Sequence, residues 1–585
     1  VKSPTLGAAL RAAATTLTGL TFVDLRDRET SLSYVELYAR SREIAGGLTA
    51  RGIRPGDRVA LVLPTSPEFV ETFFGTILAG AIPVPLYPPL RLGRLEEFHR
   101  RTAQMLTVAG AKVLISDDRV RGLLGRATDA ARPPLGCLTV ADLRGRGEFE
   151  YSGVPQEIAL IQFSSGTTVD SKPVALSHAN VLSNVAAIDA YIFEDASPNP
   201  AGVSWLPLYH DMGLIGALIE AVYRPGNLTL IPPEHFLARP ALWLRAISRH
   251  RATISPAPNF AYGLCTKRIR DEELDGVDLS TWSLALNGAE PVTAAVLQRF
   301  ADRFARWGFR AEALTPVYGL SEASLAVTFK PVRTAVSSRS IDADALASDG
   351  IVRPGDRTVV GVGRPLAGIE VEIRGDDGAV LPAGRAGRIF VRGPSVMTGY
   401  FGRPEATAET VRDGWLETGD IGFEQDGELF ICGRVKELVI LHGANHAPHE
   451  FEEALEGLAG VRAGCAVAVG FLAPDGSGEA LALLVETDGE PPLDLVEKIR
   501  GQVAQHTGIH PTAVELLSPG TLPRTSSGKL RRREAGRLWE LGKLTPPENV
   551  NALRIALESA KGGLLHMRGA LRRRLASNEK DAEDT

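Results

Sequence analysis

The spacing of three short elements early in this 585-residue chain constrains its fold more than any other feature. Pro55-Gly56-Asp57 turns into Val59-Ala60-Leu61-Val62-Leu63, an apolar run of buried-strand length. The stretch from Pro67 to about Leu78 has a helical pattern, and Ala81-Ile82-Pro83-Val84-Pro85 follows it. Strand, helix, strand at this spacing predicts a βαβ unit with a parallel sheet, because a parallel partner is reached only by a long crossover. The same rhythm returns at Lys112-Val113-Leu114-Ile115, so the N-terminal part is expected to be α/β. Just upstream, Ser33-Tyr34-Val35-Glu36 has the form of a capping box. Leu37, Ile44, Ala45 and Leu48 fall on one face after it, and Gly52 supplies a stop.

A second apolar run, Ile158–Phe163, empties into Ser164-Ser165-Gly166-Thr167-Thr168-Val169-Asp170-Ser171-Lys172-Pro173. Hydroxyls and backbone N–H groups can donate to anionic oxygens, Gly166 permits close approach, and Lys172 adds a mobile positive charge. A helix is expected to begin near Leu176-Ser177-His178-Ala179-Asn180. These features describe a phosphate cradle, although the spacing is not the Walker pattern. A Ser/Thr-rich surface loop would read the same way.

Further along, Val203–Gly213 gathers aromatic and apolar residues around His210-Asp211, and Ser255–Tyr262, with Asn259, is a second candidate pocket wall. With no nucleophile nearby in sequence, His210 is a candidate gate or polar contact and not part of a triad. Leu284–Asn287 reads as a strand ending in the turn Asn287-Gly288-Ala289-Glu290, and Val317-Tyr318-Gly319-Leu320-Ser321-Glu322 repeats that design. Ligands of α/β sheets sit at such strand ends. Tyr318 is suited to stack on a base, and Glu322 to hold Mg²⁺ beside phosphate oxygens. From Pro331 to about Val360 periodicity is lost, which suggests an insertion or functional loop. Short strands at Ile369–Ile373, Gly387–Val391 and Glu428–Ile431 predict an antiparallel β subdomain that carries Thr418-Gly419-Asp420. Residues 437–540 read as compact α+β, closing with the basic, Gly-hinged turn Pro523–Arg533. The tail from 542 is helical and charged, with Asn578–Thr585 expected to be disordered.

A net charge of −6 and a pI near 6.1 argue against general nucleic-acid affinity. The four cysteines are widely separated and show no metal spacing, His446 and His449 are split by Pro448 without a third ligand, and no apolar run is long enough to span a bilayer. Leu6–Leu20 makes a poor signal peptide. A cytoplasmic enzyme without stable membrane insertion is the expectation.

Taken in order, the loop at 164–172, Tyr318-Gly319-x-x-Glu322, Thr418-Gly419-Asp420, Gly433-Arg434-x-Lys436 and Pro523…Gly528-Lys529 resemble the adenylate-forming superfamily of acyl-CoA synthetases, luciferases and adenylation domains. The likeness covers about Ser33 to Lys529. Trp205–Gly216, Ala257–Tyr262 and Asn287–Val292 are most similar to the fatty acyl-AMP ligase branch, which also carries an insertion where this chain has Pro331–Val360. In that branch the insertion accompanies poor use of CoA and delivery of the acyl group to a carrier protein.

The resemblance implies an α/β fold: a large N-terminal domain (1–435) of stacked α/β sheet subdomains with a small antiparallel β subdomain. A small mobile α+β C-terminal domain (436–540) and a helical or disordered tail (541–585) would follow. It implies ATP and Mg²⁺ as cofactors, with Glu322 on the metal. The loop residues Ser164, Ser165, Gly166, Thr167, Thr168 and Lys172 would hold the phosphates, Thr168 among the catalytic groups. Lys529 would touch both the substrate carboxylate and the α-phosphate. Tyr318 and Gly319 would meet adenine beside Asn287, Gly288, Ala289 and Glu290. Asp420 with Arg434 would hold the ribose, and Lys436 would be the hinge. The partners implied are a long-chain fatty acid and a separate acyl carrier protein, since 542–585 has no Asp-Ser carrier signature. Val169 and Pro173 stand where the family usually has Gly and stiffen the loop. They keep open a weakly active or non-catalytic nucleotide–lipid binder, and a long-chain acyl-CoA synthetase is the other alternative.

Overall fold

The structure, a computed structural model, describes residues 3–89, 92–164, 172–193, 201–441, 444–472, 479–525, 528–547 and 552–583. The first βαβ unit is present as expected. Arg58–Val62 pairs in parallel with Ile82–Pro85 on one side and Val113–Ser116 on the other, with Cys137–Thr139 beyond. The helix Tyr34–Thr49 carries the complete capping box: the Ser33 hydroxyl accepts from Glu36 N–H at 3.2 Å, and Glu36 accepts from Ser33 N–H at 3.0 Å. Such a cap contributes about 1 kcal/mol, and Leu37, Ile44, Ala45 and Leu48 are fully buried beneath it.

Beside this sheet lies a nine-stranded one. Its centre is a parallel run: Gly19–Val23, Asn227–Leu230, Ala201–Ser204, Ile254–Ala257, Leu284–Asn287 and Leu314–Gly319. The turns that follow Ala201–Ser204, Leu284–Asn287 and Leu314–Gly319 carry the residues singled out at 205–213, 287–290 and 318–322, which is why distant motifs converge. An antiparallel sheet of Glu370–Arg374, Gly387–Arg392, Trp415–Gln425 and Glu428–Arg434 completes the large N-terminal domain. The smaller C-terminal domain pairs Val461–Leu472, Glu479–Thr487 and Ala513–Leu517. Its core is its own, with Phe451, Leu483, Val485, Ile499 and Val503 buried together. It docks on the large domain through Arg101, whose guanidinium lies 3.0 Å from Glu534.

Two expectations are corrected and one is extended. The helix expected near residues 176–180 does begin there, at His178, and it is preceded by Pro173–Ser177, a strand that pairs antiparallel with Ile158–Phe163. That strand is fully buried, so its apolar run satisfies a sheet before Ser177 and Asn180 cap the helix His178–Phe193. Within 331–360, two paired strands (Ser338–Ile341 and Arg357–Val360) flank a helix Ala343–Asp349. Its Asp342 cap and left-handed Gly350 stop were the legible signals. Asn578–Glu583, expected to be disordered, continues the terminal helix Ala552–Glu583.

His178 links acidity to stability. Its Nδ1 accepts from Leu6 N–H at 3.2 Å, and burial lowers its pKa to about 4. Between roughly pH 6.5 and 4 the unfolded chain binds a proton that the folded chain refuses, so stability falls as pH falls through that window. The loss attributable to this group is about 3 kcal/mol. Urea unfolding at pH 7 and pH 4.5 is expected to show a smaller acid loss in His178→Asn than in wild type. An equal loss would exclude His178 as its source.

Candidate active site

A cavity of about 170 Å³ opens where the two domains meet. Ser164, Tyr318, Gly319, Glu322, Arg434 and Lys529 line it, so the segments in question converge from four parts of the chain. Ala289, His210 and Thr418 reach the same space. Ser165, Gly166, Thr167 and Thr168, with Val169, lie outside the described residues. The base of their loop is described: Ser164 N–H donates to the Lys172 carbonyl at 2.9 Å, and Lys172 N–H donates to the Ser164 hydroxyl at 3.3 Å.

Lys529 follows the C-terminal turn, with Gly528 left-handed at φ 93°. Desolvation lowers its amine pKa, while the charges of Asp211, Glu290 and Asp420 oppose that shift and Arg434 adds to it. Its amine is therefore placed among carboxylates at the domain seam.

The Lys172 ammonium lies 4.4 Å from the centre of the Tyr400 ring, a cation–π distance. The Tyr400 hydroxyl in turn donates to Glu322 at 3.0 Å. Burial raises the Glu322 pKa. Nothing in the sequence pointed to Tyr400, which is brought to Glu322 by the short pairing of Gly399–Tyr400 with Val174–Ala175. Lys172 is lowered by burial and then by the nearby charge of Lys436. Two cations within electrostatic reach of each other, one of them also within reach of Glu322 on the cavity wall, suit a polyanion in that space. Glu322 supplies one carboxylate beside that space, the donor set of Mg²⁺, which keeps phosphate and water oxygens as its other ligands.

Tyr318 keeps its ring at the cavity, but its hydroxyl is committed, donating to Asp420 at 2.7 Å. Arg434 Nε donates to the other Asp420 oxygen, also at 2.7 Å. Asp420 thus sits behind the wall, and any ribose hydroxyl would share oxygens already in use. The turn at 287–290 divides: Ala289 faces the cavity, left-handed at φ 70°. Asn287 is buried and donates to Asn259 at 3.2 Å, while Asn259 donates to Thr293 at 3.3 Å. Glu290 accepts from Phe260 N–H at 2.6 Å. Asn259, Asn287 and Glu290 therefore pin two loops together beside the cavity. Gly288 is there for packing, since a Cβ would lie 2.7 Å from Val317 Cγ2.

His210 Nδ1 lies 2.6 Å from Asp211, leaving Nε2, which is buried, without a partner among the described residues. Asp211 is held well below the usual carboxylate range despite burial, by His210 and by Ser321, whose hydroxyl donates to it at 2.5 Å. A serine on the Asp instead of on Nε2 is the wrong order for a nucleophilic triad. Beyond His210 the wall turns apolar through Met212, Ile188, Leu325 and Phe329. A π-helical stretch, Leu214–Ile219, sets Gly216 there, where a Cβ would meet Leu325 Cδ2 at 2.7 Å.

Gly319 is required by space. A Cβ on it would lie 1.8 Å from the Leu325 carbonyl oxygen, a contact only backbone movement can relieve. Gly319→Ala is expected to destabilise by the upper part of the ~1–3 kcal/mol range for overpacking. Adenylation should fall with it, because Tyr318 and Glu322 flank the clash. Wild-type unfolding together with wild-type activity would refute this account.

Residues 10–401 match the family model described as AMP-binding enzyme. The chain belongs to the AMP-binding enzyme family. This AMP-binding enzyme is an ATP-dependent former of adenylates. It is 35% identical to a Caulobacter vibrioides protein provisionally named acyl-CoA synthetase, over 91% of this chain and 94% of that one. It is 32% identical to the 4-hydroxyphenylalkanoate adenylyltransferase of Mycobacterium marinum, over 86% and 85% of the two chains. A structure solved in a study of fatty acyl-adenylate ligases from E. coli and L. pneumophila superposes with a TM-score of 0.87 at 34% identity. That superposition covers 92% of this chain and 98% of the other.

Proposed function

We propose that this AMP-binding enzyme is a fatty acyl-AMP ligase. It activates a long-chain fatty acid with ATP to acyl-adenylate and pyrophosphate. It then transfers the acyl group to the phosphopantetheine thiol of a separate acyl carrier protein. The observation that carries the reading is one cavity holding Lys529, Ser164, Tyr318, Glu322 and Arg434 at one end and Met212, Leu325 and Phe329 at the other. A polyanion and a hydrocarbon chain are the two halves of an acyl-adenylate.

In the first step a carboxylate oxygen attacks the α-phosphorus and the bond to the bridging oxygen of pyrophosphate breaks. No group on the protein becomes covalently attached, so catalysis is positioning and charge neutralisation. Lys529 offsets the repulsion between the incoming carboxylate and the triphosphate. Lys172 and Lys436 face the leaving phosphates, Tyr318 presents its ring to adenine, and Asp420 and Arg434 form the ribose end. Glu322 would hold Mg²⁺, which supplies charge neutralisation on the phosphate oxygens when bound. His210 Nε2 is the polar contact at the neck between the polar and apolar halves. Lys436, in the turn Val435–Glu437 that joins the domains, is the hinge for a C-terminal domain that moves between adenylation and transfer.

Mass spectrometry of products from ATP, Mg²⁺ and a fatty-acid panel tests this, with CoA or a phosphopantetheinylated carrier as acceptor. Acyl-AMP that passes to the carrier but not to CoA is expected. Transfer to CoA alone would establish an acyl-CoA synthetase, the reading favoured by the name of the Caulobacter relative. Absence of pyrophosphate exchange with every acid would establish a binder.

A further inference from the structure

The terminal helix Ala552–Glu583 has two unlike faces. One is seated on the large domain. Gly562 packs so closely that a Cβ would lie 1.8 Å from the Gly122 carbonyl oxygen. His566 Nε2 donates to the Arg121 carbonyl at 2.9 Å, and Arg126 lies 3.3 Å from Glu558. The other face is bare. Leu557, Leu564, Met567 and Leu571 are 52%, 54%, 63% and 61% exposed, and their spacing of seven, three and four residues places them in one stripe. At 1.5 Å per residue the stripe runs about 21 Å. Lys561, Arg568 and Arg572, all exposed, form a row along one flank of it. Between 552 and 575 the sequence has six basic residues and one acidic, within a chain whose net charge is −6.

We infer that this face lies on an anionic lipid bilayer. A seated helix offering a continuous apolar stripe beside a basic row matches the interfacial mode, in which apolar side chains enter the acyl boundary and cations stay at the headgroups. The chain as a whole would be repelled by such a surface, so the charge at this helix selects the approaching face. A second copy of the chain fits less well, since two such helices packed antiparallel would set basic row against basic row. The inference does not depend on which acid is activated.

Flotation of the full chain with phosphatidylcholine–phosphatidylglycerol vesicles, and with phosphatidylcholine alone, tests it at low and high salt. Binding to the anionic vesicles only, weakened by salt, is expected. Lys561→Gln with Arg568→Gln should weaken it about twenty-fivefold, near fivefold per cation. Leu564→Ser with Met567→Ser should abolish it. Both variants should retain wild-type pyrophosphate exchange, which shows that they fold and separates this result from the reading of the active site. Failure of the wild type to float with anionic vesicles at low salt would overturn the inference. Undiminished binding by either variant would do the same. So would a dimer, seen by light scattering, that Leu564→Ser with Met567→Ser dissolves while vesicle binding is absent.

Discussion

Lys529→Ala is expected to slow acyl-adenylate formation by about 10²–10³, equivalent to roughly 3–4 kcal/mol of barrier. The amine is placed by the C-terminal domain into a cavity otherwise built by the N-terminal one, within electrostatic reach of Asp211, Glu290 and Asp420. A group whose task is to offset charge arising in the transition state should show its loss in kcat/KM for adenylation more than in nucleotide affinity. The pH profile adds a second readout. Desolvation lowers the Lys529 pKa, so its charge is lost at a lower pH than an exposed lysine's ~10.4. A rate that needs the ammonium therefore declines on the alkaline side earlier than that value, and the decline should vanish in Lys529→Ala. Adenylation at the wild-type rate in the variant would remove Lys529 from the mechanism.

Arg357→Ala is expected to destabilise the docked arrangement of the two domains by about 3 kcal/mol, the lower end for breaking a buried ion pair. Arg357 belongs to the 331–360 segment, yet its guanidinium lies 2.6 Å from Glu450 of the C-terminal domain, with the two side chains 12% and 7% exposed. It also contacts His449 Nε2 at 2.9 Å and donates to the Cys432 carbonyl at 3.1 Å. Glu450 stays below its usual pKa despite burial, through its hydrogen bond with His446 and the charge of Arg357. The His446 contact and the Ala447 N–H remain in the variant, which is why the cost sits at the lower end. Limited proteolysis at the Val435–Glu437 turn should accelerate in Arg357→Ala. Unchanged proteolysis would show that this contact does not restrain the domain.

What could be read from the chain alone was local and periodic. The capping box at Ser33, the βαβ rhythm from Val59 to Pro85 and the strand ends at Asn287 and Gly319 depend on neighbours within a few residues, so their patterns carry them. The order of short motifs was enough for the resemblance, and the family match spans 10–401. The burial of Asn259 and Asn287 against each other, the Tyr400–Glu322 bond and the reach of Arg357 into the C-terminal domain had no trace in spacing. Each joins residues dozens of positions apart, and whether a polar side chain faces a ligand or a neighbouring loop depends on which strands pair and how domains dock. Pattern determined the elements and the chemistry available at their ends. Only tertiary packing decided which of those groups share one cavity, because burial makes each polar group take a partner, and the partner is chosen in space.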